Sequence, residues 1–440
     1  MNIPYNIKEA MNVLVKNNFE AYLVGGCVRD SLMDKTPHDY DITTNATPNE
    51  MLEIFKEYKI IETGLKHGTV TVIINNENIE ITTYRIDGKY IDNRRPSTVD
   101  FTKKLDEDLS RRDFTVNALA MDSDGNLVDL FNGSKDIENK LIKCVGNPDK
   151  RFNEDALRIL RALRFASVLG FEIDKVTSKS IHKNKHLLHN ISVERIFSEF
   201  KKILCGINVE NVLLEYRDVI AEFIPEIKPC FDFEQNNPHH IYDVYTHIVK
   251  SVSAVPSKPE LRLSMFFHDI GKPSVYELDK SGMGHFKKHA VISSEIAKTV
   301  LKRLKSDKLT INTVETLVLN HDREIAETKS AVKRVISKLT YPIFLSLIDV
   351  KKADAFAHKT QEKDYDKILL IAKEIIEENE CFSLKDLAIN GYDLIEMGFN
   401  GVIIGKILDE ILEFVTEEKI SNNKTDILNF VNSKYKKNFV

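Results

Sequence analysis

Residues 22–44 read YLVGGCVRDSLMDKTPHDYDITT, and this stretch decides the fold. An apolar run ends at two glycines, and a short polar segment then leads to a second apolar run that Asp39 and Asp41 open. This order predicts a strand, a glycine turn, a short helix and a second strand. Because side chains alternate along a strand, we expect Asp39 and Asp41 to point to the same side.

The two carboxylates and the glycines together indicate a site for a metal and a phosphate. Two carboxylates on one side of a strand are costly unless a cation lies between them, and Mg²⁺ favours such oxygens together with substrate phosphates. Gly26 lets a backbone approach a ligand closely, and Arg29 near a helix N-terminus suits a triphosphate. Taken alone, the aspartate pair also fits a surface turn with two solvated side chains.

Composition limits the class of protein. The chain has 440 residues, of which 42% are hydrophobic and 29% charged, as expected for a soluble protein of two to four domains. The net charge is −5, so any contact with RNA must use local patches. Five scattered cysteines favour a reduced, cytoplasmic protein over a zinc ribbon. We find no run apolar enough for a signal peptide or a membrane span.

Two β-rich runs, at residues 69–74 and 79–86, are joined by an asparagine-rich turn and predict a hairpin. Glu80 lies on the strand face opposite its apolar neighbours, so it is either an exposed position or a third acid beside the aspartate pair. The polar segment 87–101 is expected to be a mobile loop. The segment 111–122, RRDFTVNALAMD, is expected to open a helix after its two arginines.

Residues 153–170, NEDALRILRALRFASVLG, are apolar almost all round a helix, which predicts burial. Every third position nevertheless carries a charge: Asp155, Arg158, Arg161 and Arg164. Buried arginines need partners, so this row of charges could be an internal ladder of salt bridges. A second helix is expected at residues 192–204, SVERIFSEFKKIL.

The same row could instead read a nucleotide base. Asp155 can accept a hydrogen bond from an exocyclic amino group, and Arg158 can donate one to a ring acceptor. Cytosine and adenine both present such an edge, whereas guanine and uracil place a carbonyl where the amino group is needed. Since a mismatched buried polar group is costly, a fixed Asp–Arg pair would accept C and A and reject G and U.

Histidines and acids become frequent from about residue 238 onward. His247, the adjacent pair His268-Asp269, and Asp354 on a later predicted helix form a candidate metal-ligand set, which His289 and His321 could extend. Neutral imidazoles combined with carboxylates suit transition metals, and a metal-bound water could attack a phosphoester. His239, His240 and His285 lie in the same part of the sequence. The last 80 residues are expected to be helical.

Four motifs resemble those of the class II CCA-adding enzymes and poly(A) polymerases, within the polymerase-β-like nucleotidyltransferases. They are GG-x-V-R-D at 25–30, D-x-D at 39–41, RRDFT-x-NA-x-A at 111–120 and E-D-x-x-R at 154–158. The resemblance implies that Asp39, Asp41 and Glu80 are catalytic, with the two aspartates holding Mg²⁺. It further implies a set of nucleotide-binding residues, namely Gly26, Arg29, Arg112, Asp155, Arg158, Arg161 and Arg164. The helix at 192–204 resembles the next motif of this family.

The histidine-rich part resembles the HD superfamily of metal-dependent phosphohydrolases, with His247, His268, Asp269 and Asp354 as the matched ligands. This resemblance implies an additional divalent metal. The implied architecture is α+β, with a small mixed β-sheet head followed by mostly helical parts. Its domains would be a nucleotidyltransferase head at 1–146, a helical neck at 147–235, an HD domain at 236–360 and a tRNA-binding tail at 361–440.

The implied reaction is template-independent addition of C, C and A to the 3′ end of tRNA from CTP and ATP, with release of pyrophosphate. The tRNA would be bound at its acceptor stem and elbow. Four alternatives remain open: an enzyme that adds only A or only the cytidines, a poly(A) polymerase, an HD phosphohydrolase with an RNA-binding head, and a non-catalytic tRNA-binding protein. GLKHGTVTV at 64–72 resembles the CCA-adding form, and a loop at 87–101 favours full CCA synthesis.

Overall fold

A computed structural model describes residues 3–37, 39–88, 90–91, 95–96, 99–237, 241–358 and 365–435. Six of the fifteen residues of the expected mobile loop, the pair His239-His240 and the C-terminal end therefore lie outside the described residues. The chain forms two compact units, Met1–Pro225 and Glu226–Val440, here called the first and second unit. Within the described ranges, none of the helices has the length and apolar character needed to cross a membrane.

The first unit contains all but two of the strands that the structure describes. In chain order these strands are β1 Ala21–Val24, β2 Asp41–Thr44, β3 Lys59–Ile61, β4 Thr69–Ile74, β5 Glu77–Thr83, β6 Arg85–Asp87, β7 Tyr90–Ile91, β8 Arg95–Pro96, β9 Val99–Phe101, β10 Leu119–Met121, β11 Leu127–Asp129, β12 Leu141–Ile142 and β13 Glu172–Ile173. Seven of them form one mixed sheet in the order β11-β10-β1-β2-β5-β4-β3. Its only parallel pair is β2 with β5, among the strands of the described residues.

Helices fill the rest of the first unit. They are α1 Tyr5–Lys16, α2 Gly26–Leu32, α3 Pro48–Ile54, α4 Leu105–Ser110, α5 Gly133–Glu138, α6 Pro148–Glu154, α7 Leu157–Leu169, α8 Lys175–Asn184, α9 Val193–Leu204, α10 Val209–Glu215 and α11 Arg217–Phe223. The mostly buried α7 packs against α9, as the apolar residues around its circumference predict.

Local sequence signals explain the start of the sheet. The predicted order of strand, glycine turn, short helix and strand is confirmed as β1, α2 and β2. The predicted hairpin is confirmed as β4 and β5, and both turn residues, Asn75 and Asn76, have positive φ angles of 50° and 65°. Such a turn matches the twist of the two strands, and asparagine tolerates it better than most residues.

Two predicted helices differ from the structure. The segment 111–122 opens no regular helix, because Thr115–Asn117 makes a single 3₁₀ turn before β10 enters the sheet. The helix expected at 153–170 is interrupted at Asp155, whose φ and ψ are −134° and 104°. The Asp155 carboxylate accepts a hydrogen bond from the Leu157 backbone N–H at 3.1 Å, and this local bond competes with the helical one.

The second unit is helical, as expected for the last part of the chain. Its helices are α12 Val244–Ala254, α13 Pro259–Phe267, α14 His289–Arg303, α15 Lys308–Asn320, α16 Lys329–Leu339, α17 Tyr341–Phe356, α18 Tyr365–Glu377, α19 Gly391–Glu396, α20 Val402–Thr416 and α21 Lys424–Tyr435. A short hairpin, β14 Glu277–Leu278 and β15 Gly284–His285, interrupts them. α13 packs against α12, α15 and α17, while α19 to α21 share a separate apolar core. The α+β expectation is confirmed.

Candidate nucleotide and metal sites

Three predicted catalytic carboxylates meet at the start of β2. Asp41 opens the strand and is the register partner of Glu80 in the parallel strand β5, so their side chains leave the sheet on the same side. Asp39 lies two residues before Asp41, and all three residues are exposed. Partial removal from water raises the pKa of Asp41; Arg112 opposes this rise and the negative charge of Asp39 adds to it. A divalent cation held by these oxygens would relieve that cost.

The glycine turn brings the backbone close to an arginine. Gly25 has φ 75° and ψ −128°, a conformation that glycine adopts and other residues avoid. A Cβ atom there would lie 3.4 Å from a guanidinium nitrogen of Arg112. The turn therefore leaves room for Arg112 beside the first residues of α2, where Gly26 and Arg29 lie.

An open pocket of about 490 Å³ lies beside this turn. Its walls come from α2, the start of β2, the segment 111–117 and the helices α7 and α9. It is lined by Gly25, Gly26, Arg29, Asp41, Arg111, Arg112, Asp113, Asn117, Asp155, Leu157, Arg158, Arg161, Arg164, Phe165 and Arg195. All seven predicted nucleotide-binding residues are among them, whereas Asp39 and Glu80 are not. Seven arginines against three aspartates make the pocket attractive to a polyphosphate.

The arginines of α7 find partners outside their own row. Arg158 donates to Glu154 at 2.9 Å and to the backbone carbonyl of Arg111 at 2.8 Å. Arg161 donates twice to one oxygen of Asp113, at 2.8 and 2.5 Å. Burial would raise the pKa of Asp113, but the guanidinium of Arg161 lowers it to about 2. The arginines are thus paired, as buried cations must be, while still lining the pocket.

Phe165 lies among three of these cations. The guanidinium carbons of Arg29, Arg161 and Arg164 are 5.3, 5.4 and 4.0 Å from the centre of its ring. At such distances the negative face of an aromatic ring attracts a cation. Phe165 therefore helps to keep three positive side chains together, a role that the apolar pattern of α7 did not reveal.

Asp155 and Arg158 are held by separate partners. Oδ2 of Asp155 accepts a hydrogen bond from Arg195 at 3.4 Å, while Arg158 is bound to Glu154. Both side chains nonetheless line the same pocket, so both can face one base. Arg195 was not selected from the sequence, although it lies in the helix-forming segment 192–204 next to the charged row.

The second unit brings six metal-ligating side chains together. One group is His247, His268 and Asp354, and the other is Asp269, His289 and His321; within each group the ligand atoms lie within 4.8 Å of one another. The Asp269 carboxylate joins them, with Oδ2 3.3 Å from Nε2 of His268 and Oδ1 3.3 Å from Nε2 of His289. The four ligands chosen from the sequence thus meet, and the two additional histidines extend the set.

Backbone carbonyls orient three of these imidazoles. Nδ1 of His268, His289 and His321 lies 2.6, 2.9 and 2.7 Å from the carbonyl oxygen three residues earlier. A proton on Nδ1 donates to that carbonyl, and Nε2 then presents its lone pair to the cluster. This donor set fits a transition metal.

The charges of the cluster also favour a cation. Burial lowers the pKa of His268, but the carboxylates of Asp269 and Asp354 raise it to about 10. The cluster thus stabilises positive charge at the position where a metal ion would bind.

His358, one helical turn beyond Asp354, lies 3.3 Å from its Oδ1 and was missed in the sequence, although the spacing of four residues was a signal. His285 belongs to neither group of ligands; it lies 2.9 Å from Asp279 and lines a pocket that also contains Asp269 and His289.

Comparisons with known proteins point to one family. The profile described as "Poly A polymerase head domain" matches residues 21–143, and "Probable RNA and SrmB-binding site of polymerase A" matches residues 170–231. A profile of domain 2 of the tRNA nucleotidyltransferases matches residues 286–431.

Individual relatives match over nearly the whole chain. The CCA-adding enzyme of Ligilactobacillus salivarius strain UCC118 is 34% identical over 436 residues, covering 96% of this chain and 94% of the relative. The Bacillus stearothermophilus CCA-adding enzyme in complex with CTP has a TM-score of 0.76 at 27% identity, covering 100% and 99% of the two chains. The Thermotoga maritima CCA-adding enzyme complexed with tRNA shares the fold, with a TM-score of 0.58 at 21% identity and coverage of 97% and 94%.

Proposed function

Because the chain belongs to the family of CCA-adding enzymes, we propose that the arginine-lined pocket of the first unit is where it binds CTP and ATP. The protein adds C, C and A to the 3′ end of tRNA without a nucleic-acid template and releases pyrophosphate. One observation carries the assignment of the site. A single pocket contains Asp41, which we propose to be catalytic, together with the base-reading candidates Asp155 and Arg158.

The carboxylates at the start of β2 would hold the catalytic metal. Asp39 and Asp41 would bind Mg²⁺, with Glu80 beside them as the third acid, and the raised pKa of Asp41 supports a cation there. Mg²⁺ bound at these oxygens would acidify the tRNA 3′-hydroxyl and stabilise the charge of the departing pyrophosphate. The protein's own part is to hold the α-phosphate in line with that hydroxyl.

The rest of the pocket would bind and select the nucleotide. Arg29 and Arg112, beside the glycine turn, would bind the triphosphate. Asp155 and Arg158 would read the amino group and the ring acceptor that C and A share. Arg161 and Arg164, on the same wall, would hold the incoming nucleotide. This division places the chemistry at the sheet and the choice of base on α7.

The function is tested by nucleotide incorporation into three tRNA transcripts that lack the last one, two or three 3′ nucleotides. Each transcript is offered CTP, ATP, GTP or UTP with Mg²⁺. We expect C, C and then A to be added, after which the reaction stops. Addition of A only to a tRNA ending in CC would mean that another enzyme supplies the cytidines. Long A tails would instead indicate a poly(A) polymerase.

The cluster in the second unit favours a second activity, metal-dependent hydrolysis of phosphoesters. The two three-residue groups would each hold one divalent ion, with Asp269 shared between them. A pocket of about 390 Å³ opens onto this cluster and carries Lys287 and Lys288 beside it, which suits an anionic substrate.

The proposed domains are the head at 1–146, the neck at 147–235, the HD domain at 236–360 and the tail at 361–440. The five free thiols are consistent with work in the reducing cytoplasm.

We expect Asp269→Ala to remove most of the transition metal from the purified protein, because this side chain joins both groups of ligands. Elemental analysis after growth with Mn²⁺, Ni²⁺ or Fe²⁺ measures the loss directly. Asp279→Ala removes an exposed acid beside His285 and is the matched control. CCA addition should persist in both variants. An Asp269→Ala protein with unchanged metal content would contradict the proposed centre.

A further inference from the structure

Helix α9 carries two charged residues whose role the resemblance leaves open. Arg195 and Glu199 are four residues apart and so lie on one face of the helix. α9 packs against α7, the helix that follows the base-reading Asp155 and carries Arg158. Both charged side chains make their contacts on that neighbouring wall of the pocket.

Each of these residues contacts one end of the charged row. Arg195 donates to Oδ2 of Asp155 at 3.4 Å. Glu199, which is buried, lies 2.6 Å from Nε of Arg164. α9 is therefore anchored through Glu199 at the far end of the row, and this anchor places Arg195 beside Asp155. Two members of the charged row, Asp155 and Arg164, thus contact side chains of α9, a helix that follows the row in the sequence.

From these contacts we infer that Arg195 is a positioning residue that sets the base specificity of Asp155. The inference rests on the proposed role of Asp155 as a reader of the base. The Leu157 backbone N–H binds Oδ1 and Arg195 binds Oδ2, so the plane of the carboxylate is held from both sides. Each oxygen keeps a further lone pair with which to accept a hydrogen bond from an amino group.

Loss of Arg195 would affect the choice of base more than the chemistry. With only Oδ1 held, the carboxylate can turn about its Cβ–Cγ bond and admit water between itself and a base. Uracil and guanine are rejected because their carbonyl oxygen would face the fixed carboxylate oxygen of Asp155, and two acceptors cannot form a hydrogen bond. A carboxylate that can turn away rejects them less strongly. The metal-binding carboxylates at β2 are unaffected, so the transfer of C and A continues.

The test compares kcat/KM for CTP and UTP on a tRNA transcript that lacks its last three nucleotides. The variants are Arg195→Gln, Arg195→Lys, Asp155→Asn and the double variant Arg195→Gln/Asp155→Asn. Lys202→Gln removes the same charge from an exposed position of α9 and is the matched control. Because the ratio compares two nucleotides on one preparation, partial unfolding of a variant does not change it.

We expect Arg195→Gln to lower the preference for CTP over UTP roughly tenfold, Arg195→Lys to lower it less, and Lys202→Gln to leave it unchanged. The double variant should be no less selective than Asp155→Asn alone, because both changes act through the same carboxylate. Unchanged preference in Arg195→Gln, or additive losses in the double variant, would overturn the inference. Unchanged preference in Asp155→Asn would instead overturn the proposed role of Asp155 itself.

Discussion

Replacing Asp39 by alanine is expected to lower nucleotide transfer by about 10²–10³-fold, since loss of one group that stabilises charge in the transition state costs about that much. Asp39 is exposed and lies just before β2. Its side chain adds negative charge beside Asp41, as the raised pKa of Asp41 records. With Asp39 removed, one of the oxygens that would hold Mg²⁺ is gone while the sheet keeps its strand pairing.

The measurement is incorporation of labelled CTP and ATP into a tRNA transcript that lacks CCA, alongside thermal unfolding of the same preparation. Asp124→Ala, which removes an exposed aspartate from the turn between β10 and β11, is the control and should transfer normally. We expect the unfolding midpoints of both variants to match that of the unchanged protein. Substantial transfer by Asp39→Ala would remove the catalytic assignment of the carboxylates at β2.

The local structure that carries the proposed catalytic carboxylates could be predicted because its signals are local. The glycine turn, the alternation along β2 and the asparagine turn before β5 each depend on a few adjacent residues. The parallel register that pairs Asp41 with Glu80 could not be derived in this way. Parallel neighbours are joined by a long crossover, so their register depends on how the whole sheet packs.

The charged row on α7 shows a second limit of sequence reasoning. Its spacing indicated buried arginines that need partners, and these arginines are paired, but the partners Asp113 and Glu199 come from distant segments. The break at Asp155 was missed because helical periodicity continues through it, while the competing bond from its own side chain is invisible in the pattern.

The cluster of histidines and aspartates in the second unit could be predicted in part. The residue types and the His-Asp pair indicated side chains that could hold a transition metal, since imidazoles and carboxylates are the ligands that such metals take. Which atoms meet was not predictable, because His247, Asp269 and His321 belong to different helices or to their ends. The shared use of Asp269 is a property of how α12 to α15 and α17 pack around it.

Asp155→Ala is expected to lower the discrimination of C and A against U and G by about 10²-fold or more, toward the range of 10⁴ that an unpaired buried polar group can produce. The carboxylate is the hydrogen-bond acceptor that an amino group requires and a carbonyl cannot use. Arg158 keeps its own partner, Glu154, so the donor to the ring acceptor stays in place. Asp41 and the triphosphate arginines are likewise untouched.

This prediction separates the choice of base from the chemistry of transfer. Single-turnover incorporation of all four nucleotides is measured with Asp155→Ala and with Glu172→Ala, a control that removes an exposed acid from β13. We expect Asp155→Ala to incorporate UTP and GTP alongside CTP and ATP, whereas Asp39→Ala should incorporate every nucleotide much more slowly than the unchanged protein does. A variant that transfers readily but selects poorly is the result expected if Asp155 reads the base and takes no part in the transfer step. Selectivity unchanged among the four nucleotides would show that the base is read elsewhere.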